Sequence, residues 1–226
     1  TIVSRGTKMK TRGKYLIAKD YLVSSKKFKI IWNKEKQIAQ TLIPDGIDLS
    51  LYYNSENYHS HKNKSTSIKD RIYFFIQDLM FRFKKHIIKR YSAGGKLLDY
   101  GSGVGNFSKF MSDNGFNVLA IEPDKGAMKT SIKKTVNTVS GLEMLIDKEG
   151  FNTITLWHVL EHIPDPHKII TELKLHLDNK GIMVIAVPNL NSHDSLYYKS
   201  NWAALDVPRH LWHFTSPGLQ MLMQKS

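Results

Sequence analysis

Between residues 96 and 187 the sequence alternates short apolar runs with amphipathic ones, and this constrains the fold more than any other feature. Residues 96–100, 117–122, 135–139, 151–157 and 181–187 read as strands. Residues 106–114, 125–134 and 166–177 read as the helices between them, with Phe107, Phe110 and Met111 on one face of the first. Strands separated by helices this regularly pack as a parallel sheet with helices on both faces. The fold class is therefore α/β, a doubly wound parallel sheet.

The front of the chain is different. Residues 15–32 read as two short strands around Ser24-Ser25, and residues 44–66 as loop. A helix is predicted over 68–91, where Ile72, Phe75, Ile76, Leu79, Met80, Phe83, Ile87 and Ile88 recur at threes and fours and are expected to face the core. Gly94-Gly95 ends it. Residues 1–96 hold 21 Lys+Arg against 7 Asp+Glu, and the remainder 12 against 13. This asymmetry divides the chain into a basic N-terminal extension (1–91) and a second domain (92–226). With no cysteine, disulfides, thiolate zinc sites and cysteine nucleophiles are excluded. No apolar run reaches the length of a transmembrane helix, and the first residues lack the apolar centre of a secretion signal. A cytoplasmic setting is expected.

The first strand of the alternating region runs into "LLDYGSGVGNF", residues 97–107. Glycines stand at 101, 103 and 105, and Asn106 stands where a dinucleotide turn has its third glycine. The second strand ends in Glu122, a carboxylate suited to ribose hydroxyls. NAD and S-adenosylmethionine both carry such a ribose, so Glu122 does not choose between them. The glycine spacing does: it lets a ligand without a pyrophosphate pass close over the backbone.

At these residues the chain resembles the class I S-adenosylmethionine-dependent methyltransferases, and in particular the ubiquinone-biosynthesis O-methyltransferase group. "LLDYGSGVG" is similar to the family's first motif, "VLAIEPD" to its second, "FNTITLWHVLEHIPDP" to that of the fourth strand and "GIMVIAVPN" to that of the fifth. The resemblance covers residues 92–224 and implies a Rossmann-like fold. It implies that Tyr100, Gly101, Ser102 and Gly103 wrap the methionine part of the cofactor, with Asp99 orienting the turn or meeting the amino group. Glu122 would hold the ribose, with Pro123 and Asp124 beside the adenine and Leu142 at its edge. Trp157 and His158 would lie under the cofactor, although plain packing also accounts for Trp157. A full sheet of this family has seven strands. Five are readable, so the C-terminal strands are expected to be missing.

Methyl transfer needs a base only when the acceptor is a protonated hydroxyl or amine. His162 is the candidate, beside a reading in which Glu161-His162 frames the cofactor. Some relatives use a divalent metal here, for which His158, Glu161 and His162 are the available ligands; no metal is expected. Residues 188–215 lack a clear element, and a loop of that length is usually functional. Within it Arg209, His210, Trp212 and His213 are candidate acceptor-pocket residues, with Arg209 set for an anionic group. The resemblance adds Tyr58 and His61. Ser216-Pro217 opens a last helix. The expected activity is methyl transfer from S-adenosylmethionine, giving S-adenosylhomocysteine, to a small-molecule acceptor, at oxygen. Two alternatives stay open: an RNA methyltransferase using the basic front, and a non-catalytic cofactor-binding protein. Nucleic acid is not the favoured partner. The helix over 68–91 reads best as a core helix with a solvated basic face; an anionic membrane is its other reading. The oligomeric state is unreadable.

Overall fold

A computed structural model describes residues 15–53, 68–92, 94–145 and 150–226. In chain order the main elements are β1 (Tyr15–Lys19), β2 (Lys27–Asn33), β3 (Ile38–Leu42), α1 (Ser50–Tyr53), α2 (Ile68–Tyr91), β4 (Lys96–Tyr100), α3 (Asn106–Asp113), β5 (Asn117–Ile121) and α4 (Lys125–Lys133). There follow β6 (Asn137–Val139), β7 (Phe151–Trp157), α5 (Pro166–Leu175), β8 (Leu177–Ala186), α6 (His193–Tyr198), β9 (Trp212–Phe214) and α7 (Ser216–Lys225).

The chain forms two compact units. The described residues of 62–159 with 171–186 make one, and those of 1–61 with 160–170 and 187–226 make the other. The two units are thus interleaved along the chain.

The first unit holds the five-stranded parallel sheet, in the order β6-β5-β4-β7-β8. This is the Rossmann-like architecture expected. Its strands are near-continuous apolar runs because helices cover both faces. Ile88, Leu97, Phe107, Met111, Phe116 and Val118 form one side of its core. The strand order reverses at β4, between β5 and β7. Ligands of open α/β sheets bind beyond the carboxyl ends of the strands at such a switch point. Helix α5 stops at Leu175, two residues early, and β8 starts at Leu177. A register shift between Phe151 and Thr153 accommodates the polar residues Asp178, Asn179 and Lys180 ahead of the apolar run.

Helix α2 lies where its periodicity predicts, but the expected face is not the buried one. Only Ile88 is buried. Phe81 packs at 5.6 Å and 5.5 Å, between ring centroids, on Phe107 and Phe110, whereas Ile72, Phe75, Ile76, Leu79, Met80 and Phe83 are exposed. The helix carries two apolar stripes, and the narrower one, which includes Phe81, takes the core.

The second unit is built on an antiparallel sheet in the order β1-β2-β3-β9. Ala18, Phe28, Ile30, Ala39, Tyr52, Leu190, Leu205 and Val207 fill its core. The β1–β2 turn is where Ser24-Ser25 predicts it. Buried Asp20 accepts from the backbone N–H of Leu22, Val23 and Ser24 and from the Ser24 hydroxyl, which fixes the turn. Residues 188–215, expected as loop, contribute α6 and β9. The latter pairs with β3 through Ile38↔Phe214, Ala39↔His213 and Gln40↔Trp212.

Candidate active site

The glycine turn leaves β4 at the switch point. Gly101 has φ +72°, and a Cβ there would lie 2.4 Å from a Val159 methyl, so no other residue fits. Gly103 has φ +55°, and a Cβ there would meet nothing within 4 Å, so this side of the turn is open. The backbone N–H groups of Gly101 and Ser102 donate to the carbonyl of Ile121, at 2.8 Å and 3.1 Å. That of Gly103 donates to Glu122 Oε2 at 2.7 Å. A pyrophosphate is held by just such amides. Here three in succession are already committed to β5 and its end, so the turn is not built for a dinucleotide.

Glu122 is buried, and its other oxygen accepts from the Asp124 N–H at 2.9 Å. Burial pushes its carboxyl pKa up, and the two backbone donors oppose that shift. Each oxygen keeps a lone pair for a further donor. Asp124 caps α4 through Ala127 N–H, while Pro123 beside it is exposed. Asp99 is fully enclosed and accepts from the Ser108 hydroxyl at 2.5 Å and the Thr155 hydroxyl at 2.8 Å. It ties β4 to α3 and β7. Burial raises its pKa, partly offset by those hydroxyls and by Lys84.

Two polar atoms in this region are buried without a hydrogen-bond partner among the described residues: the Ser102 hydroxyl and the Trp157 indole nitrogen. They lie just past β4 and at the end of β7, the neighbouring strands of the switch point. Buried donors left over in this way mark a place for a ligand. Phe107 meets the Trp157 ring edge-on, at 5.6 Å between centroids. The Lys84 ammonium sits 4.3 Å over that indole and 5.2 Å over Phe107. Burial lowers the Lys84 pKa, and the Asp99 carboxylate opposes the shift. Lys84 does not stand out in the sequence, being one lysine among many in a basic helix. Its spacing from the glycine turn, on the inner face of α2, was the only available signal. Tyr100 is half-buried and Leu142 starts a short 3-10 turn. His158 is exposed, with φ +58° and its N–H donating to Ala186.

The second unit holds the remaining predicted residues. His162 Nδ1 lies 3.0 Å from the Arg209 carbonyl and 3.3 Å from the Tyr53 hydroxyl. A carbonyl only accepts, so Nδ1 carries the proton and Nε2 the lone pair. The same reasoning places the His210 proton on Nδ1, 2.9 Å from the Ala204 carbonyl. The two imidazoles meet edge to face at 4.6 Å. Burial lowers the pKa of both, against the pull of Glu161 and Asp206. Glu161, His162 and His210 bring ligand atoms within 4.8 Å of one another, so these three could together hold a cation. His210 thus stands where His158 was considered.

Arg209 does not present its charge to a ligand. It is 1% exposed, paired with Asp206, donating to the Tyr52 carbonyl at 3.2 Å and lying 3.7 Å from Asp20. His213 is buried and bonded to the Thr41 hydroxyl at 2.9 Å, and its pKa is pushed down to about 3. Trp212 donates to the carbonyls of Ile163 and Pro164. These residues knit the unit together. Tyr58 and His61 lie outside the described residues.

Comparison with known proteins identifies the family and the fold. The family model described as "Methyltransferase domain" matches residues 74–226. A ubiquinone biosynthesis O-methyltransferase of Glaesserella parasuis serovar 5 (strain SH0165) is 31% identical over 109 residues, 42% of this chain and 46% of that protein. The one from Pelagibacter ubique (strain HTCC1062) is 32% identical over 127 residues, 53% of this chain and 52% of that protein. The chain spans about half the length of the curated relatives it matches. Among solved structures, a SAM-dependent methyltransferase of Thermotoga maritima superposes with a TM-score of 0.55 at 17% identity, covering 70% of this chain and 74% of that one. A protein of Pyrococcus horikoshii OT3 gives 0.52 at 18%, covering 76% and 87%. The chain belongs to the methyltransferase domain family, and its fold is that of the class I S-adenosylmethionine-dependent methyltransferases.

Proposed function

We propose that the protein transfers a methyl group from S-adenosylmethionine to a hydroxyl of a small-molecule acceptor, in the cytoplasm. The observation that carries this reading is the switch-point turn: its amides are taken, its Gly103 side is open, and two buried donors beside it have no partner among the described residues. A ligand rich in amino, carboxylate and hydroxyl groups, with no phosphate, suits that inventory. Ser102 and Lys84 would meet the carboxylate of its amino-acid end, and Glu122 the ribose hydroxyls. Trp157, capped by Lys84, would bound the site as an aromatic wall. When bound, the cofactor supplies a methyl already activated on a sulfonium. The protein's part is then positioning and exclusion of water.

A hydroxyl acceptor must lose its proton. His162 is the residue we propose for this, because its Nδ1–H is held by a carbonyl and its Nε2 lone pair is left basic. Burial keeps it neutral at physiological pH. That the similar proteins are O-methyltransferases supports oxygen as the acceptor atom.

Titration calorimetry tests the cofactor. S-adenosylmethionine and S-adenosylhomocysteine should bind and NAD should not; binding of NAD alone overturns the reading. Incubation with phenolic and catecholic acceptors should then give a single added methyl by mass spectrometry. Cofactor binding with no transfer to any hydroxyl, amine or RNA substrate would make the protein a non-catalytic binder.

A further inference from the structure

The outward stripe of α2 is left over by everything described above. Ile68, Ile72, Phe75, Ile76, Leu79 and Phe83 recur at threes and fours and are between 48% and 77% exposed. The stripe is about 23 Å long at 1.5 Å per residue. It is not the face of a helix without tertiary anchorage, because Phe81 and Ile88 on the opposite side pack into the sheet unit's core. An apolar run of this extent on a surface marks an interaction site.

Its surroundings say what covers it. The helix carries Lys69, Arg71, Arg82, Lys85, Lys89 and Arg90 besides Lys84, against Asp70 and Asp78. Asp78 is already paired with Arg82 at 2.6 Å. A second copy docking stripe to stripe would bring these like charges together. A single-stranded nucleic acid would satisfy the charges, but the aliphatic members of the stripe offer no stacking platform. An anionic bilayer satisfies both features: the stripe enters the acyl boundary while Lys and Arg stems reach up to acidic headgroups. No helix among the described residues is long and apolar enough to cross a membrane, so α2 would lie in the plane.

We propose that the outward face of α2 docks the protein on an anionic lipid bilayer. The test is flotation of the full chain with large unilamellar vesicles, of phosphatidylcholine alone or mixed with about one quarter phosphatidylglycerol. The mixed vesicles should bind at least about tenfold more protein, and binding should fall severalfold between roughly 0.05 M and roughly 0.5 M salt. The double substitution Phe75→Ser with Leu79→Ser should lower partitioning by about tenfold or more. It should leave calorimetric cofactor binding intact, which also reports that the variant is folded. Should it not fold, the surface change Lys69→Glu with Arg71→Glu should remove the preference for anionic vesicles. Equal binding to both vesicle types, or undiminished binding by a folded variant, overturns the proposal. So does sedimentation showing a dimer that the serine variant dissolves, without any vesicle binding. Tighter binding to a short RNA than to mixed vesicles overturns it as well.

Discussion

The glycine turn and the Arg209 guanidinium are both surrounded by buried charged and polar groups, but to opposite ends. Around the glycine turn Asp99 and Glu122 are enclosed, yet Ser102 and Trp157 nearby keep hydrogen-bonding capacity that no described residue uses. Around Arg209 the guanidinium is bound by a carboxylate and a carbonyl, and a second carboxylate lies close by. Burial and shifted acidity alone do not tell a binding site from a strut. What separates them is whether the donors and acceptors are answered from within the protein. By that measure the first region is built to receive and the second to hold.

The sharpest way to break this contrast is to remove the strut. Arg209→Ala leaves Asp206 and Asp20 without their cation, and the second unit should lose about 3–5 kcal/mol in urea unfolding. An unchanged midpoint would return Arg209 to the ligand candidates. On the other side, Gly101→Ala puts a methyl into Val159 and holds alanine at a positive φ. It should cost about 2–3 kcal/mol and weaken S-adenosylmethionine binding in calorimetry.

Acid should separate the histidines next. A folded-state pKa depressed below the unfolded one means that the unfolded chain binds more protons. Stability should therefore hold above about pH 6.5 and fall as the pH drops toward 3, by about 1.4 kcal/mol per unit from His213 alone. His213→Gln should flatten that slope in melts run across the range. The smallest expected effect is the most specific. Lys84→Met should weaken S-adenosylmethionine binding about tenfold, or about 1.4 kcal/mol, with little change in melting temperature. Equal affinity would make Lys84 a packing residue.

The parallel sheet was legible because each strand and helix is a local pattern, and each glycine of the turn answers a local backbone need. What escaped was non-local. Nothing near Arg209 in sequence announces Asp20 as a neighbour, so an exposed ligand-binding arginine was the natural expectation. Strand β9 has three residues, and its reason for being a strand is β3, far away along the chain. Helix α2 was found from its period, but a period reveals a stripe without saying whether the protein interior or something outside covers it. Lys84 went unnoticed because its importance lies in the Trp157 ring beneath it.

The pairing of β3 with β9 also bears on how the molecule is made. Thr41 bonds a carbonyl 169 residues further along, and the Arg209 cluster reaches back to the β1–β2 turn. Contacts this remote form slowly. On the ribosome the first three strands emerge early and must wait for residues 206–214 before the edge of β3 is covered. During that interval the edge is open to strands of other chains. The parallel-sheet unit carries no such debt to the final segment. The antiparallel unit is therefore where synthesis arrested before residue 214 should leave a chain that aggregates.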